Sequence, residues 1–176
     1  MKIALFGGSF DPPHRAHVQV VQYLLDSGQF DQIWIVPSKT NPFKDSSSNF
    51  SLRCKMCSLA FEAFGDGVQV LDVDQKLSGY TIDLVKYLMA QHPECDFTFV
   101  GGSDLKEQLP RWKDGKLLEA MISFKFLPRP PDPKSPFLPF SSTEVREALA
   151  RGEDPEKFLP QKVAEFVKRE NLYRSP

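Results

Sequence analysis

Five short apolar runs, each followed by a longer stretch of helical spacing, constrain this chain more than any other feature. The runs cover residues 2–6, 32–36, 68–73, 96–100 and 122–127, all of strand length. After the first, Val18, Val21, Leu24 and Leu25 share one helical face. Leu52, Met56, Leu59 and Ala60 do the same after the second. Thr81 is expected to cap a helix carrying Leu84, Val85 and Leu88. Short helices are expected at 104–109 and 116–121, on either side of Trp112, and the last two at 141–150 and 161–171. Strand followed by helix, repeated, predicts a parallel sheet with helices on both faces: one α/β, doubly wound domain over residues 1–176. Ligands of such sheets bind at the carboxyl ends of the strands, where the first and fourth runs end in Gly7-Gly8 and Gly101-Gly102.

Composition removes several classes of function. With 41% hydrophobic and 26% charged residues, the chain is neither disordered nor collagen-like. Lys and Arg total 22 against 23 Asp and Glu, a balance that argues against a broad basic footprint for nucleic acid and leaves room for a local basic pocket. No apolar run spans a bilayer, and the start turns to Gly, Asp and Pro too soon for a secretion signal. A cytoplasmic protein without nucleic-acid or membrane partners is expected. Cys54, Cys57 and Cys95 are odd in number. A zinc site from the lone Cys54-x-x-Cys57 would have to borrow His92 and Cys95, so reduced, packed thiols are the expectation. Residues 128–139 hold six of the 15 prolines and are expected to be a stiff, irregular connection.

Two segments carry chemistry. Gly7-Gly8-Ser9-Phe10-Asp11-Pro12-Pro13-His14-Arg15-Ala16-His17 leaves a strand and opens a helix. Glycines let the backbone approach an anion, and helix N–H groups point at it. The segment matches neither the dinucleotide fingerprint nor the P-loop. His14 and His17 share one face of the first turn and are placed to donate to phosphate oxygens; otherwise one caps the turn and the other packs. In Ser141-Ser142-Thr143-Glu144-Val145-Arg146, Ser141 and Glu144 form a capping box. Ser142 and Thr143 either join that helix terminus around a phosphate, with Arg146 as clamp, or are simple capping hydroxyls.

Together these segments resemble the paired signatures of the nucleotidyltransferase superfamily that includes class I tRNA synthetases. More narrowly, the chain resembles bacterial nicotinate-nucleotide adenylyltransferases, through Val36-Pro37…Asn41-Pro42-Phe43-Lys44, Gly79-Tyr80-Thr81-Ile82-Asp83, and Gly102-Ser103-Asp104-Leu105 followed by Trp112. The resemblance runs nearly end to end. It implies a Rossmann-like fold, with helices from about residue 141 completing the phosphate site. The implied reaction transfers adenylyl from ATP to nicotinate mononucleotide, giving deamido-NAD and pyrophosphate, with Mg2+ accompanying ATP. It puts His14 and His17 on the ATP phosphates, His17 nearest the α-phosphate, and Ser142, Thr143 and Arg146 on the triphosphate. Gly7, Gly8, Ser9, Phe10 and Gly102 line the ATP site, Lys44 assists with phosphate, and Asp104 meets the ribose hydroxyls. Tyr80, Thr81 and Trp112 form the pyridine pocket.

Four features depart from the family pattern. Ala16 stands where glycine is usual between the histidines, Phe43 replaces a common histidine, and Gly79 replaces a common serine. The segment from 127 to 140 is shorter than usual, which bears on the adenine side and on contacts between copies of the chain. The alternatives are nicotinamide mononucleotide or phosphopantetheine as acceptor, or a nucleotide-binding regulator without turnover. A homo-oligomer is compatible with the sequence.

Overall fold

The computed structural model describes residues 1–39 and 48–174. Its strands are β1 (Lys2–Gly8), β2 (Gln32–Pro37), β3 (Val68–Val70), β4 (Asp96–Gly102) and β5 (Ser123–Leu127). They form one sheet in the order β3-β2-β1-β4-β5, every pairing parallel. The helices are α1 (Arg15–Asp26), α2 (Phe50–Phe61), α3 (Thr81–Gln91), α4 (Leu105–Gln108), α5 (Gly115–Met121), α6 (Ser142–Ala150) and α7 (Gln161–Arg169). The order turns back at β1, so β1 and β4 diverge into connections on opposite faces and open a crevice at their carboxyl ends.

Alternation along β1 builds both layers. Ala4 and Phe6 face a core shared with Val21 and Leu24 of α1, Met56 and Cys57 of α2, Val145 and Leu149 of α6 and Val163 of α7. Ile3 and Leu5 face the opposite core, with Trp34, Phe99, Ile82 and Val85 of α3 and Leu118 of α5. This is the doubly wound α/β arrangement expected from the alternating pattern.

Two local expectations are corrected. The third strand stops at Val70 instead of residue 73, and residues Val73–Lys76 form a 3-10 turn. As an edge strand it has one neighbour, and the chain leaves the edge to bury Leu71 in the second core. Thr81 is the first residue of α3, not its cap; Tyr80 holds the cap position. The polar contact comes from Ser78, whose hydroxyl donates to the Asp83 carboxylate and accepts from the Tyr80 N–H at 3.2 Å. Residues 128–141 form no regular element, as their prolines predict. Among the described residues, Cys54, Cys57 and Cys95 form no disulfide; Cys57 is buried, and burial pushes its thiol well above the ordinary range. Among the described residues, no helix is long and apolar enough to cross a membrane.

The buried Arg53 of α2 was not legible as anything but a helix residue. Its side chain crosses beneath the carboxyl end of the sheet, 1% exposed. Nη1 donates to the carbonyls of Ser9 and Ser38 at 2.7 Å each, and Nε donates to Ser48 at 3.3 Å. One guanidinium thereby joins the loops that follow β1 and β2. Replacing it orphans several buried carbonyls at once, so Arg53→Met is expected to cost about 2–5 kcal/mol in denaturant unfolding. A loss below about 1 kcal/mol would mean those carbonyls find other donors easily.

Candidate active site

The crevice between β1 and β4 is a cleft of ≈ 400 Å³. Gly7, Gly8, Ser9, Phe10, His14 and His17 line it from β1 and the start of α1. Gly102 and Asp104 come from the end of β4, and Ser142, Thr143 and Arg146 from α6. The structure thus brings eleven of the fifteen residues singled out in the sequence to one cavity. Lys44, with Asn41, Pro42 and Phe43, lies outside the described residues. Tyr80, Thr81 and Trp112 do not line this cleft. Trp112 stands edge-on to Phe99, with ring centroids 5.6 Å apart. Phe99 in turn packs on Gly7, where a Cβ would come within 2.6 Å of its ring. Gly7 is therefore required by packing, and it fixes the distance between the cleft and Trp112.

The loop from Gly8 to Pro12 is held by its carbonyls. Gly8 accepts from the Ser38 N–H at 2.9 Å and Ser9 from Arg53. Asp11 accepts from Arg146 Nη1 at 2.7 Å, and Pro12 from the Ser142 hydroxyl at 3.0 Å. Arg146 also donates to Thr143 Oγ1 at 3.4 Å. Ser141 and Glu144 form the expected capping box. Ser142 and Arg146 thus bind the loop directly, which locks the amino end of α6 beside that of α1. Two helix N-termini facing one cleft favour an anion. Phe10, at φ 48° and 1% exposed, turns the loop and packs on Phe6 and His17.

His14 and His17 stack, with ring centroids 3.7 Å apart. The His14 N–H donates to His17 Nδ1 at 3.1 Å, which orients the second ring. His14 is 3% exposed, and neither of its ring nitrogens finds a hydrogen-bond partner among the described residues. Burial, with the Arg129 charge second, lowers its pKa to about 3, so the ring is neutral near pH 7.

Residues 5–148 match the cytidylyltransferase-like family. A relative from Anaeromyxobacter dehalogenans, named "probable nicotinate-nucleotide adenylyltransferase", is 35% identical over 98% of this chain and 97% of its own. One of the same name from Lactococcus lactis is 32% identical over 98% and 95%. A Vibrio parahaemolyticus structure described as a nicotinate-nucleotide adenylyltransferase superposes with a TM-score of 0.81, at 26% identity over 99% and 96% of the two chains. The nicotinic acid mononucleotide adenylyltransferase of Plasmodium falciparum, solved with NaAD, shares the fold at TM-score 0.83 and 24% identity, over 98% and 97%. The chain belongs to the nicotinate-nucleotide adenylyltransferase family.

Against that family's pattern the departures take local forms. Gly79 sits at φ 85°, a conformation that favours glycine, at the turn into Tyr80. Ala16 lines the cleft and is buried, so its methyl occupies wall space beside the histidines. The short proline-rich connection closes one side: the Leu138 N–H donates to Gln19 at 2.8 Å, and Phe137 stands edge-on to Tyr23. It also delivers Arg129, which sequence reasoning missed. Arg129 lines the cleft and pairs with Asp104 at 3.5 Å. Its signal was a lone cation two residues past a strand end at the crevice. Lys113 was missed as well; it lies over the Tyr80 ring at 4.6 Å and pairs with Asp83 at 3.3 Å.

The depressed His14 pKa has a thermodynamic consequence. Below the ordinary value of 6.5 the unfolded ring takes up a proton and the folded one does not, until pH approaches about 3. Stability is therefore expected to fall by about 1.4 kcal/mol per pH unit on this account across that window. Denaturant midpoints of wild type and His14→Asn should diverge in slope there and run parallel above it. Parallel slopes throughout would mean that His14 titrates normally.

Proposed function

We propose that this cleft transfers the adenylyl group of ATP to nicotinate mononucleotide, giving deamido-NAD and pyrophosphate. Membership of the family makes the chain an adenylyltransferase of NAD biosynthesis; the proposal concerns the acceptor and the work of each residue. The observation that carries it is the convergence of two helix N-termini, the stacked His14–His17 pair, Arg146 and Arg129 on one cavity.

In the reaction, a phosphate oxygen of the mononucleotide attacks the α-phosphorus of ATP, and the bond to the pyrophosphate oxygen breaks. No covalent enzyme intermediate is needed, so positioning and charge neutralisation supply the rate. His17 is assigned to the α-phosphate, where its ring donates to the oxygens that gain charge. His14, neutral and without a partner, is assigned to the neighbouring phosphates. Arg146 and Thr143 are assigned to the β- and γ-phosphates with the α6 terminus, and Ser142 supports them through Pro12. Gly7, Gly8, Ser9, Phe10 and Gly102 shape the wall. Asp104 is assigned to the ribose hydroxyls and Lys44 to phosphate. Tyr80, Thr81 and Trp112 are assigned to the pyridine, and Lys113 supplies positive charge near its carboxylate.

Magnesium is part of the proposal as a companion of ATP. Among the described residues, no cluster of three or more His, Cys, Asp or Glu is built to hold a metal. Asp104 is paired with Arg129, and Asp11 accepts from Tyr173. The donor set therefore fits an ion ligated chiefly by phosphate oxygens and water, which suits Mg2+. Bound there, it would neutralise charge on the leaving pyrophosphate. Cysteines outside any disulfide suit the reducing cytoplasm in which this reading places the enzyme.

Pyrophosphate release, with ATP, magnesium and one acceptor at a time, tests the reading. Nicotinate mononucleotide is expected to be preferred over nicotinamide mononucleotide and phosphopantetheine. Preference for either of the others reassigns the acceptor, and ATP binding without release from any of the three identifies a regulator. Within the same assay His17→Ala should cut turnover roughly 10²–10⁴-fold, as for loss of a transition-state donor. Near-normal turnover by the folded variant would remove His17 from the chemistry.

A further inference from the structure

The segment after α7 reaches back into the active-site loop. Tyr173 donates its hydroxyl to Asp11 Oδ1 at 2.6 Å and accepts from the Ser48 hydroxyl at 2.8 Å. The Ser48 N–H donates to Asp11 Oδ2 at 3.4 Å. Asp11 is 1% exposed, so its carboxylate is held by protein donors and not by solvent. The same residue presents its carbonyl to Arg146 Nη1 at 2.7 Å. A chain of short contacts thus runs from Tyr173 through Asp11 to the guanidinium that faces the cleft.

The backbone is bent to make this contact. Asn171 and Tyr173 both lie at positive φ, 51° and 63°. For a tyrosine this conformation is costly and persists where its surroundings hold it. Leu172, between them, anchors the turn in the first core, and its N–H donates to Val167 at 3.1 Å. Burial and the Asp11 carboxylate push the Tyr173 hydroxyl far above its ordinary range, so it remains a donor at any working pH.

We propose that Tyr173 is a positioning residue for the triphosphate side of the cleft, setting Asp11 and, through its carbonyl, Arg146. This rests on the assignment of the cleft to ATP. It makes the segment after α7 part of the active-site scaffold, although Tyr173 does not line the cavity. Asp11 is the pivot: its side chain answers to Tyr173 and Ser48, and its backbone to Arg146.

Tyr173→Phe removes the hydroxyl and keeps the ring. Calorimetric titration with a non-hydrolysable ATP analogue and magnesium should show affinity reduced about 5- to 50-fold, the scale of one buried charge-assisted hydrogen bond. The KM for ATP should rise in parallel, and that for nicotinate mononucleotide should stay within about twofold. Leu88→Ala, in the opposite core and away from this turn, separates positioning from simple stability: it should lower Tm and keep analogue affinity within about twofold of wild type. Wild-type affinity in Tyr173→Phe overturns the proposal, as does an equal rise of both KM values. An equal loss of affinity in Leu88→Ala at the same fall in Tm also overturns it. Wild type that binds the analogue and adenylylates no acceptor defeats the reaction assignment alone, and the affinity comparison still decides the role of Tyr173.

Discussion

The site depends on a loop four of whose carbonyls are bonded to donors elsewhere in the protein. Gly8, Ser9, Asp11 and Pro12 each give their carbonyl oxygen to a donor elsewhere in the fold: a backbone N–H of the next loop, a buried arginine, a cleft arginine and the first serine of α6. A buried carbonyl left unmet costs about 1–3 kcal/mol, so these four bonds fix the loop's path strongly. They also fix its polarity. Carbonyl oxygens facing the cleft would repel a polyanion, and here the scaffold has claimed them. That is how a loop without a P-loop lysine presents a surface fit for phosphate.

The same bonds explain why the two signatures must occur together. The first supplies a strand end, a glycine that packs on Phe99, and the start of α1. It has no means of its own to hold Asp11 and Pro12. The second supplies those donors from α6, more than a hundred residues later in the chain. Arg146 is thus divided between clamping the loop and lining the cleft. Under the proposed function, loop order and anion binding would be coupled through that one side chain.

The sheet and its helices were legible because period and punctuation agree. Ile3 and Leu5 against Ala4 and Phe6 allot β1 to two cores, and the glycine pairs end β1 and β4 where the crevice opens. The eleven cleft residues were legible because they sit in two compact motifs and at one strand end. What was not legible depends on distant partners. Arg53 looks like any helix cation until four backbone carbonyls from three segments close over it. Arg129 looks like a loop charge until Asp104 and the cleft wall meet it. Tyr173 lies more than 160 positions from Asp11, beyond the reach of any local pattern. The Thr81 cap failed for a smaller reason: Ser78 reaches Asp83 first and leaves Thr81 inside the helix.

His14 shows what such a scaffold allows. A buried imidazole with neither nitrogen bonded lowers stability, by about 1–3 kcal/mol for an unmet polar group. It persists because its neighbours over-determine it: His17 stacks on it, Phe140 stands edge-on, and its backbone starts α1. Burial and Arg129 together hold the ring neutral, since a second cation beside that guanidinium would be repelled. Under the proposed assignment, an entering phosphate would offset the smaller, Arg129 part of that depression, while burial, the larger cause, would remain. The unmet ring nitrogens of His14 are the groups for which the proposed phosphate contact would supply partners.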